Sequence, residues 1–321
     1  MLTLQDVLDA CAVLRNRLEP SPLLKYGGLL AAGSPPVLLK AECLMPTGSF
    51  KIRGATYSVA CLDKGARQRG VVAYSTGNHA QAVARAAHDE GVRAIIVMSP
   101  DATASKVEAT KRWGAEVAMA AASSQARREM AEDIAAARGL ALIPPYDDPR
   151  VMAGQGTIGT ELLQQLGDTR PAAVFVPIGG GGLISGVATA LKELDPSIAI
   201  IGVEPELESD ACRSFQSGQL EVNPAPSQSR ADAIRVESLG QLAFPIIQRR
   251  VDDIVTVTEG ELAAAVRDCY QANRLVVEAA GAAALAAARR EALEYQGARP
   301  IVALLSGGNV TLRTLIEICE S

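Results

Sequence analysis

In the run Pro46-Thr47-Gly48-Ser49-Phe50-Lys51-Ile52-Arg53-Gly54-Ala55, one lysine stands between a short polar turn and a helix-compatible segment. A lysine on a solvated surface is protonated and a poor nucleophile, whereas a Schiff-base lysine needs burial or nearby positive charge to lower its pKa. Alone, Lys51 is as well explained as a surface charge; a cofactor site needs further parts. One is supplied by Ala172 to Ile178, a buried-strand pattern that runs into Gly179-Gly180-Gly181-Gly182 and then Leu183 to Leu191, which has helical apolar spacing. Strand, glycine run and helix make an anion cradle. Glycines let successive backbone N–H groups close on a phosphate, and the helix N-terminus adds partial positive charge. No G-x-G-x-x-G registers on Gly179 to Gly186 and no Gly-Lys-Ser/Thr follows, so a cofactor with one phosphate is favoured over a dinucleotide or ATP.

Gly154-Gln155-Gly156-Thr157-Ile158-Gly159 does match G-x-G-x-x-G, but Tyr146 to Arg150 before it is turn-like where a dinucleotide fold requires a strand. It reads instead as a helix start whose small residues allow close packing. Two further loops follow strand-like runs: Ser75-Thr76-Gly77-Asn78-His79 after Val71 to Tyr74, and Ser306-Gly307-Gly308-Asn309 after Ile301 to Leu305. In open parallel sheets, ligands sit beyond the carboxyl ends of strands, where these polar loops fall.

Taken together, the Lys51 motif, Ser75 to His79, Gly179 to Gly182 and Ser306 to Asn309 resemble the fold type II pyridoxal phosphate enzymes. Within that group they look most like the threonine/serine dehydratase and serine racemase family, over nearly the whole chain. The resemblance implies an α/β, tryptophan synthase β-like fold of two open parallel-sheet domains. It implies that Lys51 carries pyridoxal 5'-phosphate as a Schiff base and, once released, removes the substrate Cα proton. Phe50 would lie beside the pyridine ring, Asn78 would bond the ring hydroxyl, Gly179 to Gly182 would hold the phosphate, and Ser75, Thr76, Gly77, Asn78 and His79 would clamp the substrate carboxylate. Ser306 would meet the ring nitrogen, and Glu278 falls where relatives place an acidic residue near the cofactor, a helix N-terminal carboxylate being the competing explanation. The implied reaction converts a β-hydroxy amino acid such as L-serine, L-threonine or 3-hydroxyaspartate to a 2-oxo acid and ammonia, with phenylserine as an alternative substrate.

Three positions bear on the substrate. Racemases of the family use a serine as second-face acid/base where this chain has Thr76, bulkier but still a hydroxyl. Ala233, in Ser229-Arg230-Ala231-Asp232-Ala233, replaces a glycine usual in relatives, and Arg230 is a candidate reader of a second carboxylate, as in 3-hydroxyaspartate. The resemblance also implies a Mg²⁺ or Ca²⁺ site from the carboxylates of Glu204 and Asp210 and the backbone carbonyl of Glu208; oxygen ligands suit hard cations, and a solvated acidic loop is the alternative.

These residues must be held by strands and helices. Strand-like runs recur at Val71 to Tyr74, Ala94 to Met98, Glu116 to Ala120, Leu140 to Ile143, Val174 to Ile178, Ile198 to Val203, Ile254 to Val257 and Ile301 to Leu305, with helical stretches between most of them. Helices are expected over Ala102 to Trp113, Ser124 to Arg138, Glu259 to Arg274 and Ala279 to Glu294. Such alternation means parallel sheets covered by helices. Residues 1–69 and 147–321 are expected to form a large cofactor-binding domain and 70–146 a small one, with a crossing at the breaker cluster Pro144 to Pro149. The chain ends soon after Asn309, which is read as leaving no room for a regulatory domain.

Of 321 residues 48% are hydrophobic, enough for a sizeable core, and a formal net charge of −5 without a basic patch argues against nucleic acid. No apolar run is long enough to span a bilayer and no secretion signal is visible, so neither membrane attachment nor export is expected. Six cysteines without a C-x-x-C pair argue against zinc and suit a reducing cytoplasm with buried free thiols. His79 is expected to orient its loop and His88 to be solvated. A homodimer is expected from the resemblance. Three functions stand: the lyase, a serine or aspartate racemase on the same scaffold, and a binding protein without turnover, against which intact Lys51 and Ser306 speak.

Overall fold

The computed structural model describes residues 1–30, 33–223, 228–295 and 297–320. Its strands are β1 (Leu23–Lys25), β2 (Val37–Lys40), β3 (Val71–Tyr74), β4 (Ala94–Met98), β5 (Glu116–Met119), β6 (Ala141–Leu142), β7 (Ala173–Pro177), β8 (Ala199–Pro205), β9 (Asp253–Val257) and β10 (Ile301–Leu304). The helices are α1 (Leu4–Leu14), α2 (Lys51–Ala60), α3 (Lys64–Arg69), α4 (Asn78–Asp89), α5 (Ala104–Lys111), α6 (Ser124–Arg138), α7 (Pro149–Leu166), α8 (Gly182–Leu194), α9 (Asp210–Ser217), α10 (Ala243–Arg250), α11 (Glu259–Asn273), α12 (Ala279–Glu294) and α13 (Leu312–Glu320).

Two sheets organise two domains, one with the strand order β1-β2-β10-β7-β8-β9 and the other β5-β4-β3-β6. Central strands such as Ala94–Met98 and Ile301–Leu304 are buried along their whole length, as strands covered by helices on both faces must be. Sequence periodicity did not reveal β1 and β2, and β1 runs antiparallel to β2, so the larger sheet has one antiparallel edge. The strands are short, and β2 ends in Lys40, a charge that breaks an apolar pattern yet is fully buried. Its ammonium is satisfied by Glu161, by Gln165 Oε1 at 2.9 Å and by the Ser21 carbonyl at 2.8 Å.

Helix α2, which begins with Lys51, is held on two sides. Ile52, Ala55 and Val59 belong to the core beneath the four-stranded sheet. On the opposite side the Arg53 guanidinium, 3% exposed, forks onto Glu42 through Nε–Oε2 and Nη2–Oε1 contacts of 2.8 Å each and reaches Glu161 at 2.9 Å. The G-x-G-x-x-G run lies inside α7, capped by Asp148, and its glycines serve packing: a Cβ at Gly154 would stand 2.5 Å from Gly54 Cα, and one at Gly156 2.9 Å from the Gly186 carbonyl.

Candidate active site

Between the two sheets lies a cavity of about 610 Å³. Phe50, Lys51, the Ser75 to His79 loop, the Gly179 to Gly182 loop, Glu278 and Ser306 all line it. Each arrives at the carboxyl end of a strand or the start of a helix, as open α/β sheets require.

Lys51 is half-buried because it opens onto the cavity, but its ammonium sits among protein atoms, where desolvation lowers its pKa to about 8. Nζ donates to the Pro145 carbonyl at 2.6 Å and stands 5.1 Å from the Phe50 ring centre. No anion pairs with it among the described contacts, so neutralisation is the inexpensive response to burial.

The glycine loop cannot carry side chains. A Cβ at Gly180 would fall 2.3 Å from the Tyr146 ring and one at Gly182 2.6 Å from the Tyr146 carbonyl. Gly181 has φ +88 and would meet the Ala243 side chain at 2.8 Å. Its neighbours are fixed by Asp147 Oδ1, which accepts from the N–H groups of Leu242 at 3.0 Å and Ala243 at 3.1 Å.

In the Ser75 to His79 loop the Ser75 hydroxyl accepts from Gly77 N at 3.2 Å, and Thr76 Oγ1 accepts from Ser99 N at 3.2 Å. His79 Nε2 lies 2.9 Å from the Ile143 carbonyl, and burial pushes the imidazole down to about 3, so the ring is neutral and acts on loop position. His88 is exposed, beside Trp113. Ser306 is 4% exposed and lines the cavity with a neutral hydroxyl. Glu278 stands at the N-cap position of α12 but caps nothing with its side chain; it accepts from Asn78 Nδ2 at 2.7 Å, and burial followed by the Asp232 charge raises its carboxyl to about 7.

Arg230 does not line the cavity: its backbone N–H donates to Glu259 at 2.8 Å and its guanidinium lies 3.7 Å from the same carboxylate. The cations that do line it beside Lys51 are Lys106, Arg127, Arg128 and Arg235. Arg127 and Arg128 sit near the start of α6, which the sequence marks as a helix without any sign that its arginines face a site. Tyr146, part of the breaker cluster, was likewise invisible as a site residue because its contact with the glycine loop is wholly tertiary. Asn309 was inside a recognised motif, without an assigned role.

Glu204, Glu208 and Asp210 lie apart from the cavity, each at most 2% exposed. Glu204 accepts from the N–H groups of Cys212 at 2.7 Å and Ala211 at 3.1 Å, at the start of α9; burial nonetheless raises it to about 8 and Asp210 to about 7. Asn223 Nδ2 donates to Glu208 at 3.1 Å and to Asp210 at 2.5 Å, while Glu208 Oε1 and Asp210 Oδ2 are buried without a partner. Among the described residues no three side chains of the usual ligand types form a ready cation site.

Comparison with known proteins agrees with this geometry. The chain is 40% identical over 315 residues to an L-threo-3-hydroxyaspartate ammonia-lyase of Pseudomonas sp, covering 98% of each. Among solved structures it superposes on maize serine racemase with a TM-score of 0.91 and 35% identity over 98% of this chain and 96% of that one. The threonine deaminase isoform 2 of Solanum lycopersicum, in its processed form, gives a TM-score of 0.92 and 34% identity over 98% of this chain and 87% of that one. Residues 14–307 match the family described as pyridoxal-phosphate dependent enzyme, and with a half-buried lysine, a glycine loop that admits no side chains and two parallel-sheet domains around one cavity, the chain belongs to that family in its fold type II form.

Proposed function

We propose that this enzyme is an ammonia-lyase that removes water from a β-hydroxy amino acid, with 3-hydroxyaspartate, L-threonine and L-serine as the leading substrates. The observation that carries the reading is the convergence of Lys51, Ser306, the glycine loop and the Ser75 to His79 loop on one cavity. Lys51 would hold pyridoxal phosphate at its aldehyde, Gly179 to Gly182 at its phosphate and Phe50, Asn78 and Ser306 about its ring, and the bound cofactor would supply the electron sink that makes the substrate Cα proton acidic. Ser75 to His79, at the N-terminus of α4, bind the α-carboxylate through N–H and hydroxyl donors. Lys51 Nζ, neutral at modestly alkaline pH, accepts the Cα proton. Ser306, uncharged, would meet the ring nitrogen without the carboxylate needed to hold a proton on it. Proton and hydroxyl leave as water, and the released enamine takes up water to give the 2-oxo acid and ammonia.

Arg127 and Arg128 line the cavity from α6 but are already engaged, Arg128 with Glu132 at 2.7 Å and Arg127 with the Ser124 hydroxyl at 2.9 Å, so an acidic substrate side chain would have to compete for them. The test is 2-oxo acid release by the loaded protein from L-serine, L-threonine, both threo-3-hydroxyaspartates and phenylserine, with Lys51→Ala as control. Release that persists in Lys51→Ala, or none from any of them, would remove the lyase reading. Racemisation is the second reading, since Thr76 lines the cavity; its oxygen is tied to Ser99 N, which argues against it as a base. Solvent deuterium at Cα of recovered, inverted substrate would establish it.

We assign residues 70–146 to the small domain and 1–69 with 147–321 to the large one. A Mg²⁺ or Ca²⁺ bound by Glu204, Asp210 and the Glu208 carbonyl is supported by the partnerless oxygens of Glu208 and Asp210; a rise in melting temperature with Ca²⁺ that survives Asp210→Asn would refute it. A homodimer is supported by exposed Leu312 and Ile316 on α13, and light scattering at the monomer mass would reject it. No described helix is long and apolar enough to cross a membrane. A cytoplasmic setting is supported by the unpaired state of Cys11, Cys43, Cys61, Cys212, Cys269 and Cys319; fractionation with an exported pool would contradict it.

A further inference from the structure

The carboxamide of Asn78 could present either its oxygen or its nitrogen to the cavity, and its neighbours decide which. Asn309 Nδ2 donates to the Thr47 carbonyl at 2.6 Å and to Asn78 Oδ1 at 2.8 Å, so both of its hydrogens are committed. Asn78 Nδ2 in turn donates to Glu278 Oε1 at 2.7 Å. A donor at one end and a carboxyl acceptor at the other leave the Asn78 amide a single satisfied direction, with one N–H still uncommitted. The backbone makes room for this chain. A Cβ at Gly307 would stand 2.4 Å from Glu278 Oε1 and one at Gly48 2.5 Å from Asn309 Oδ1. Thr47, which offers the carbonyl, is held at φ 68, a conformation L side chains rarely adopt and one that persists where surroundings over-determine it. Gly308 N bonds the Gly48 carbonyl at 2.9 Å, Glu278 N the Gly307 carbonyl at 3.1 Å, and Phe50 N the Ser306 carbonyl at 3.1 Å. The three side chains therefore connect the start of α4, the start of α12 and the turn that leads into Lys51.

We infer that Glu278 and Asn309 are positioning residues that act through Asn78: they fix its amide so that it offers an N–H donor, not a carbonyl, to the cofactor ring, and they couple that donor to the turn preceding Lys51. The inference rests on the pyridoxal phosphate reading of the cavity. An N–H donor stabilises the ionised ring hydroxyl, and the absorbance of the bound cofactor reports that ionisation. In the loaded protein, Glu278→Ala and Asn78→Ala are each expected to lower the ratio of the visible to the near-ultraviolet band severalfold and to weaken cofactor retention about tenfold. Glu278→Gln, which keeps an acceptor oxygen, is expected to retain the wild-type spectrum, and the double alanine variant to fall no further than Asn78→Ala. An unchanged spectrum in Glu278→Ala, or independent effects that multiply in the double variant, would overturn the inference. Should the wild type take up no pyridoxal phosphate, the reading of the cavity fails, and the chain itself is tested in the cofactor-free protein. There, denaturant unfolding of the same variants is expected to show Asn78 and Glu278 coupled by about fivefold or more in the folding constant. Strictly additive losses would overturn it.

Discussion

Lys51 shows how burial changes the chemistry of a common residue. Its ordinary amine would be almost wholly protonated at neutral pH; with no anion beside it, desolvation lowers its pKa to about 8. Schiff-base formation needs the neutral amine. Uptake of pyridoxal phosphate by the cofactor-free protein is therefore expected to accelerate about tenfold per pH unit below pH ~8 and to level off above it. Stopped-flow absorbance over a pH series checks this, and a rate still climbing toward pH 10 would mean a lysine of ordinary basicity. His79 shows the same force carried further: a histidine in the Ser75 to His79 loop invites a general-base role, but burial pushes it down to about 3, too weakly basic to hold a proton, and the Ile143 carbonyl fixes its ring.

Element by element, α2 is the critical support, because the lysine at its first position is only as well placed as the helix. Its apolar face packs on the core of the four-stranded sheet, and Arg53 binds its other face to Glu42 and Glu161. Removing one member of a buried ion cluster leaves the others uncompensated, at a cost of about 3–5 kcal/mol. Arg53→Ala is expected to lose stability of that order in denaturant titrations. Replacing Arg53 with Met is expected to recover little, because Glu42 and Glu161 remain. A loss below about 1 kcal/mol would show the cluster to be incidental.

At the scale of the molecule, the cavity exists because two sheets face each other, and side chains from both domains meet along it. Lys106 Nζ on α5 meets Asp232 Oδ2 at 3.2 Å, beside the segment that packs on Gly179. With side-chain exposures of 31% and 52%, this pair is worth less than about 1 kcal/mol to folding. Both residues do line the cavity. Lys106→Gln is expected to leave the melting temperature nearly unchanged while altering KM more than kcat, with a KM that no longer responds to salt. A large stability loss with unchanged KM would mean that the pair is structural.

The local parts of this protein are legible along the chain: a lysine in its motif, a strand followed by four glycines, polar loops after strands, and helices such as Ser124–Arg138 and Ala279–Glu294. These follow from backbone freedom and apolar period, which act over a few residues. The same signals did not reveal β1 and β2, whose shortness and buried Lys40 hide the pattern, and they did not show that Arg230 stands beside Glu259. Tertiary packing alone settles which cations face the cavity, that Tyr146 closes on the glycine loop, and that Glu278 serves Asn78 in place of a helix end. Those outcomes join residues far apart in the chain, 200 positions in the case of Asn78 and Glu278, and depend on how two sheets meet. Spacing along the chain carries no record of that.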